Sequence, residues 1–135
     1  MMTPTATTLL GLVAWSVFLV LCLGFLRSAL VMTGKRAANA FNPSGEDMEA
    51  FGKRLTRTHA NCYENLPVSA AILLYAIATN QMGVTDGLAY IFLGARIGQS
   101  LVHLISTSRT FVLIRFSFFV IQILILLVWL YSLFV

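Results

Sequence analysis

The sequence predicts an all-α integral membrane protein: one domain, residues 1–135, folded as a bundle of four transmembrane helices. Three observations point there. Hydrophobic residues make up 59% of the chain and charged residues only 10%, where a soluble domain carries about a quarter charged. Turn-forming stretches at Asn42-Pro43-Ser44-Gly45, Gly83 to Gly87 and Ser106 to Thr110 separate segments long enough to cross a bilayer, which takes about 20 residues. The bases are also placed unevenly. Lys35, Arg36, Lys53, Arg54 and Arg57 lie in or beside the first connection, Arg109 and Arg115 beside the third, and none lies in the first 26 residues or after Arg115.

The net charge of +4 therefore reads as positive-inside topology. Nucleic acid is not expected as a partner. Basic connections are expected on the cytoplasmic side and both termini on the other, and a compact chain with short loops suits a bacterial inner membrane.

The first helix is expected at about 8–32. It has neither the basic n-region nor the small-residue cleavage site of a signal peptide, so it should be retained. Arg27, near its end, can snorkel to the interface. The second is expected at about 45–82: Ser44 and Asp47 have capping-box spacing, and acids at 46, 47 and 49 suit a helix start. Pro67 lies inside it and removes the hydrogen bond to the Tyr63 carbonyl, which predicts a kink. The third helix is expected at about 87–106, and the fourth at about 115–135, opening on Arg115. Cys22 and Cys62 form no spacing motif and are expected to be small packing residues.

Two polar stripes interrupt this apolar chain. Arg57, Asn61 and Glu64 are spaced i, i+4, i+7 and share one face of helix two, a stripe roughly 10 Å long. Arg96, Gln99 and His103 follow i, i+3, i+7 on helix three. Ionisable groups at membrane depth cost on the order of 2.5–3.5 kcal/mol each, so they should face a bundle interior or a wet cavity. A purely structural alternative pairs Glu64 with Arg57 or Arg96 to hold helices in register. Against it stands the cation excess: Arg57, Arg96 and Arg115, with Lys35 or Arg36, answer one carboxylate. Such an excess calls for an anionic ligand, and guanidinium forks suit carboxylate or phosphate. His103 by itself is more often a hydrogen-bonded core histidine. No HExxH, no Cys/His cluster, no acidic pair within the spans and no Gly-rich phosphate loop is present, so no metal site is expected.

The run Arg57-x3-Asn61-x2-Glu64-x2-Pro67 resembles the second-helix signature of the MAPEG family, the membrane-associated proteins in eicosanoid and glutathione metabolism. The likeness is strongest to its leukotriene-C synthase and microsomal glutathione transferase members. It extends to Lys35 and Arg36, to Arg96 and to Arg115, in order and over nearly the whole chain. The resemblance implies a homotrimer of four-helix subunits that binds glutathione between neighbours, near the cytosolic face. By the same resemblance Arg57, Asn61, Glu64 and Arg96 would contact glutathione, and Arg115 would be the catalytic arginine that steadies its thiolate. Arg109 is the rival for that role. Gln99 and His103 stand where the synthases carry tyrosines lining the glutathione site, and His103 could replace one of them.

The function expected is a membrane-bound glutathione transferase or glutathione-dependent peroxidase, taking hydrophobic small molecules from the lipid. The alternative is a non-catalytic lipid-binding or accessory subunit of the same fold, as with the family's five-lipoxygenase-activating protein. A small transporter fits less well, since internal repeats and paired broken helices are missing.

Overall fold

The structure is a computed structural model that describes residues 1–135. It is all-helical: α1 Pro4–Met32, α2 Ala50–Ala78, α3 Met82–Ile105 and α4 Arg109–Phe134. Three of these, α1, α3 and α4, are long and apolar enough to cross a membrane. The chain is an integral membrane protein. α2 matches α1 in length at 29 residues, but Lys53, Arg54, Arg57, His59, Asn61 and Glu64 keep its first half well below that apolarity.

The helix ends differ from the pattern reading, each for a local reason. α1 starts at Pro4 rather than at 8, because the Thr3 hydroxyl accepts from the Ala6 amide at 3.2 Å and Pro4 presets φ at the first helical position. α2 starts at Ala50 rather than at 45, and the expected capping box does not form. Ser44 donates to the Asn42 side chain at 2.8 Å, while Asp47 pairs with Arg36 and accepts from the Asn42 amide at 3.1 Å. α2 runs uninterrupted through Pro67 and ends at Ala78, where Asn80 turns left-handed (φ 56°) and the Gln81 amide reaches back to the Ala76 carbonyl at 2.7 Å. α3 therefore begins at Met82, and Gly83, Asp86 and Gly87 belong to its first turns instead of a loop. α4 begins at Arg109 rather than at 115: residues 110 to 114 hold no helix breaker, and Ser108 occupies the N-cap. Arg115 consequently lies in its second turn.

α3 is the central helix. Its backbone runs beside those of the other three, whereas the backbones of α1 and α4 stay apart. At one end the Thr5 amide and hydroxyl both donate to the Asp86 carboxylate, at 3.0 and 2.6 Å, joining the starts of α1 and α3. At the other end Arg54 Nε donates to the Leu104 carbonyl at 2.9 Å, a cation at the negative pole of α3. Residues 33–49 and 106–108 thus share one end of the bundle, opposite the termini and the 79–81 turn. Leu12, Ile72, Leu73, Phe92, Ile125 and Trp129 form a core that draws on all four helices. A smaller cluster of Leu19, Leu23, Leu55 and Cys62 joins α1 to α2.

The 33–49 segment is strapped down by charge. Arg36 pairs with Asp47 and lies over the Phe41 ring, 5.0 Å from its centroid, while Lys53 meets Glu46 at 2.8 Å. The Lys53 ammonium holds the Glu46 carboxyl below its usual range. Burial would raise Asp47, but hydrogen bonds from Arg36 and the Asn42 amide outweigh it and hold this carboxyl low as well.

Gly45 allows the turn in that strap. Its φ is +75°, and an added Cβ would come within 2.7 Å of the Thr56 side chain. Gly45→Ala should therefore destabilise the strap by about 1–3 kcal/mol. A lower melting temperature in detergent and faster proteolysis between residues 37 and 49 are the expected results. Wild-type resistance at that segment would show that the turn is not under this constraint.

Candidate functional site

At the end that carries segments 33–49 and 106–108, a groove of about 210 Å³ opens between α2, α3 and α4. Its lining is Arg57, Ala60, Asn61, Glu64, His103 and Arg115. α2 contributes four of these from one face, at i, i+3, i+4 and i+7. The last turn of α3 adds His103, and the second turn of α4 adds Arg115. A second hollow of about 220 Å³, lined by Ala50, Lys53, Arg54, Arg57, His103 and Thr107, adjoins it through the shared Arg57 and His103.

The charges in the groove are unpaired. The chain's ion pairs are Arg36–Asp47 and Lys53–Glu46, so the internal pairing of Glu64 with Arg57 or Arg96 does not form. Arg57 and Glu64 are exposed on the single chain, and Arg115 is half-buried. Two guanidiniums and one carboxylate therefore share a hollow that retains positive charge. Such a site is complementary to a molecule with anionic oxygens and an amine.

Five of the residues singled out in the sequence come together here: Arg57, Asn61, Glu64, His103 and Arg115. Two do not. Arg96 is 5% exposed and lies behind Asn61, its Nη1 donating to Asn61 Oδ1 at 2.8 Å. Gln99, also 5% exposed, turns to α4, where its Oε1 accepts from Gln122 Nε2 at 2.8 Å. The second stripe thus splits, because a face of the central helix α3 meets different neighbours within a narrow arc. Long side chains then reach different partners.

Between the rival arginines, geometry brings Arg115 into the groove and leaves Arg109 exposed in the first turn of α4, outside it. Of the other cations, Arg36 is committed to Asp47 and Lys35 does not line the groove. Cys62 is buried with its Sγ 3.1 Å from the Ser100 hydroxyl, as a packing residue would be.

Sequence reasoning passed over Ala60 and Gln122. Ala60 is the small residue that leaves room between Arg57 and Glu64. A signal for Gln122 was present: a lone amide in the apolar run of α4 needs a buried partner, since lipid offers none.

The MAPEG family's sequence model matches residues 5–135, essentially the whole chain. No curated protein and no solved structure gives a significant match. With four helices in the expected order, a helix-two signature whose polar members share one groove and a family match from end to end, this chain belongs to the MAPEG family of membrane proteins, whose general province is glutathione and eicosanoid metabolism.

Proposed function

We propose that this protein is a membrane-bound glutathione transferase or glutathione-dependent peroxidase that acts on hydrophobic electrophiles. The observation that carries the reading is the unpaired charge of the groove. Arg57 and Arg115 share it with Glu64 and pair with nothing in their own chain. Glutathione supplies what these groups lack: carboxylates, an amine and a thiol. Arg57 would hold a carboxylate and Glu64 the ammonium. Arg115 would stabilise the thiolate, since a neighbouring guanidinium favours the anion and the anion is the nucleophile. His103 adds a ring nitrogen to the same wall, where the family's synthases have a tyrosine.

The same charges support a homotrimer. Glu64 is the central residue of α2, Ala50–Ala78, so α2 as a fourth span would place it deep in the membrane. Exposed to lipid, it and Arg57 would cost on the order of 2.5–3.5 kcal/mol each. A neighbouring subunit over the groove removes that cost and closes the glutathione site. The basic end then faces the cytoplasm under the positive-inside rule, in a bacterial inner membrane.

One further feature favours the non-catalytic reading. An apolar cleft of about 300 Å³, lined by Ala71, Ile72, Tyr75, Leu130, Leu133 and Phe134, lies between α2 and α4 at the other end. It begins about 22 Å along α4 from Arg115. That distance suits the tail of a long lipid rather than its reacting carbon, so the cleft fits a lipid-binding role better than a substrate's reacting end.

Calorimetric titration of glutathione into the detergent-purified protein tests the reading. Arg57→Ala and Glu64→Gln should each weaken binding about 10- to 100-fold, the loss typical of a charged hydrogen bond. A folded wild type that ignores glutathione but binds a fatty acid would overturn the transferase reading in favour of the lipid-binding one.

A further inference from the structure

We propose that Arg96 is a positioning residue that works through Asn61, and that it decides which end of the Asn61 amide the ligand meets. The proposal rests on the glutathione reading above. A guanidinium has donors and no acceptor, so only the oxygen of Asn61 can face Arg96. The bond is made, at 2.8 Å from Nη1 to Oδ1. A planar amide with its oxygen held on one side carries its NH2 on the other, toward the groove that Asn61 lines. No protein group accepts from that NH2; the bond from Arg96 is the only one the Asn61 side chain makes. Asn61 is thereby a fixed donor, and it takes a carboxylate or carbonyl oxygen of glutathione. One helical turn further along the same face, Glu64 takes a donor. The groove therefore accepts its ligand in one direction.

A structural role alone explains Arg96 poorly. It is 5% exposed, has no carboxylate partner and shares a small hollow with Leu12, Ser16, Cys62, Asn65, Leu66 and Ser69. Burying a charge costs several kcal/mol, and an apolar residue of similar volume would join the helices as well or better. What an apolar residue could not do is orient and polarise the Asn61 amide.

The experiment compares wild type, Asn61→Asp, Arg96→Lys, Arg96→Met and the double variant Asn61→Asp/Arg96→Met, by glutathione calorimetry and by melting temperature in detergent. Asn61→Asp exchanges the outward NH2 for an anionic oxygen while giving Arg96 a carboxylate. Its melting temperature should stay level or rise, and its affinity should fall at least about tenfold. Stability and binding then move in opposite directions, which loss of packing cannot produce. Arg96→Lys remains a donor-only cation and should bind within about threefold of wild type. Arg96→Met frees the amide to flip and should bind about three- to tenfold more weakly without melting earlier.

In the double variant the aspartate has lost its Arg96 partner, so Asn61→Asp should lower the melting temperature in the Arg96→Met background relative to its effect in wild type. Equal effects of Asn61→Asp in the two backgrounds would refute the Arg96–Asn61 contact itself, whatever glutathione does. Wild-type affinity in Asn61→Asp, or equal losses in Arg96→Lys and Arg96→Met, would overturn the positioning role and leave the glutathione reading standing. Absence of binding by folded wild type would remove both.

Discussion

Replacing Arg115 by alanine should lower glutathione-dependent turnover by about 10²- to 10³-fold, while the affinity for glutathione changes only a few-fold. The expected size is that of removing one preorganised electrostatic donor from a developing or resident anion. The split follows from position. In the proposed site Arg57, Asn61 and Glu64 on α2 would hold the ligand's ground state, and Arg115 enters the same groove from α4. An unperturbed cysteine thiol has a pKa of about 8.5 and is mostly protonated at neutral pH. A guanidinium beside it favours the anion and lowers that value, so under the proposed role thiolate should persist to lower pH in wild type. Without Arg115 the rising limb of the pH–rate profile should move upward by about one to two units, each unit being worth about 1.36 kcal/mol.

Thiolate absorbance in the ultraviolet, recorded with bound glutathione, reads the same shift without an electrophile. Arg115→Lys retains a charge but not the fork and should fall between the two. Arg109→Ala is the control and should stay within about twofold of wild type, because Arg109 lies outside the groove. Unchanged thiol ionisation in Arg115→Ala, or an Arg109→Ala as damaged as Arg115→Ala, would remove Arg115 from its role.

The second large effect is on stability. Trp129→Ala should destabilise the subunit by roughly 2–3 kcal/mol. Trp129 is fully buried, with its ring centroid 5.2 Å from that of Phe92, among Leu12, Ile72, Leu73 and Ile125. In a soluble protein such a truncation loses both transfer free energy and packing, and costs about 3–5 kcal/mol. Here most of the transfer contribution is absent, since lipid tails are as apolar as the core they replace. The cavity remains: at about 24 cal/mol per Å³, a hole on the order of 100 Å³ yields the lower figure.

Equilibrium unfolding in mixed micelles measures it, with Leu127→Ala, on the exposed face of α4, as a near-neutral comparison. A loss at Trp129 no greater than at Leu127 would mean that this core does not hold α4 to α3. The α4 backbone stays clear of α1 and runs close to α2 only briefly, so α4 depends on this core and on the Gln99–Gln122 pair for its position.

Much of this protein is readable from the order of its residues alone. The apolar runs and the clustered bases require helices in a membrane, because a chain with 10% charged residues that must satisfy its backbone in lipid has few other solutions. The stripe Arg57, Asn61, Glu64 was legible for a similar reason: spacing at i, i+4, i+7 places side chains on one face whatever the helix packs against. Helix ends were less legible. They depend on contacts distant in sequence or on single left-handed residues, such as the Asp47–Arg36 tie that denies Asp47 a capping role, and Asn80, whose φ of 56° ends α2 early.

The three-dimensional arrangement decided the rest. Arg96, Gln99 and His103 form one stripe in sequence and serve three environments in space, since α3 is packed on several sides at once. Only packing sends Arg96 behind Asn61, Gln99 to Gln122 and His103 into the groove. Likewise, no spacing rule distinguishes Arg109 from Arg115; a helix that starts six residues earlier than its apolar run turns the second inward and leaves the first at the rim. Periodicity reports which residues share a face of their own helix. What that face meets is set by the other three.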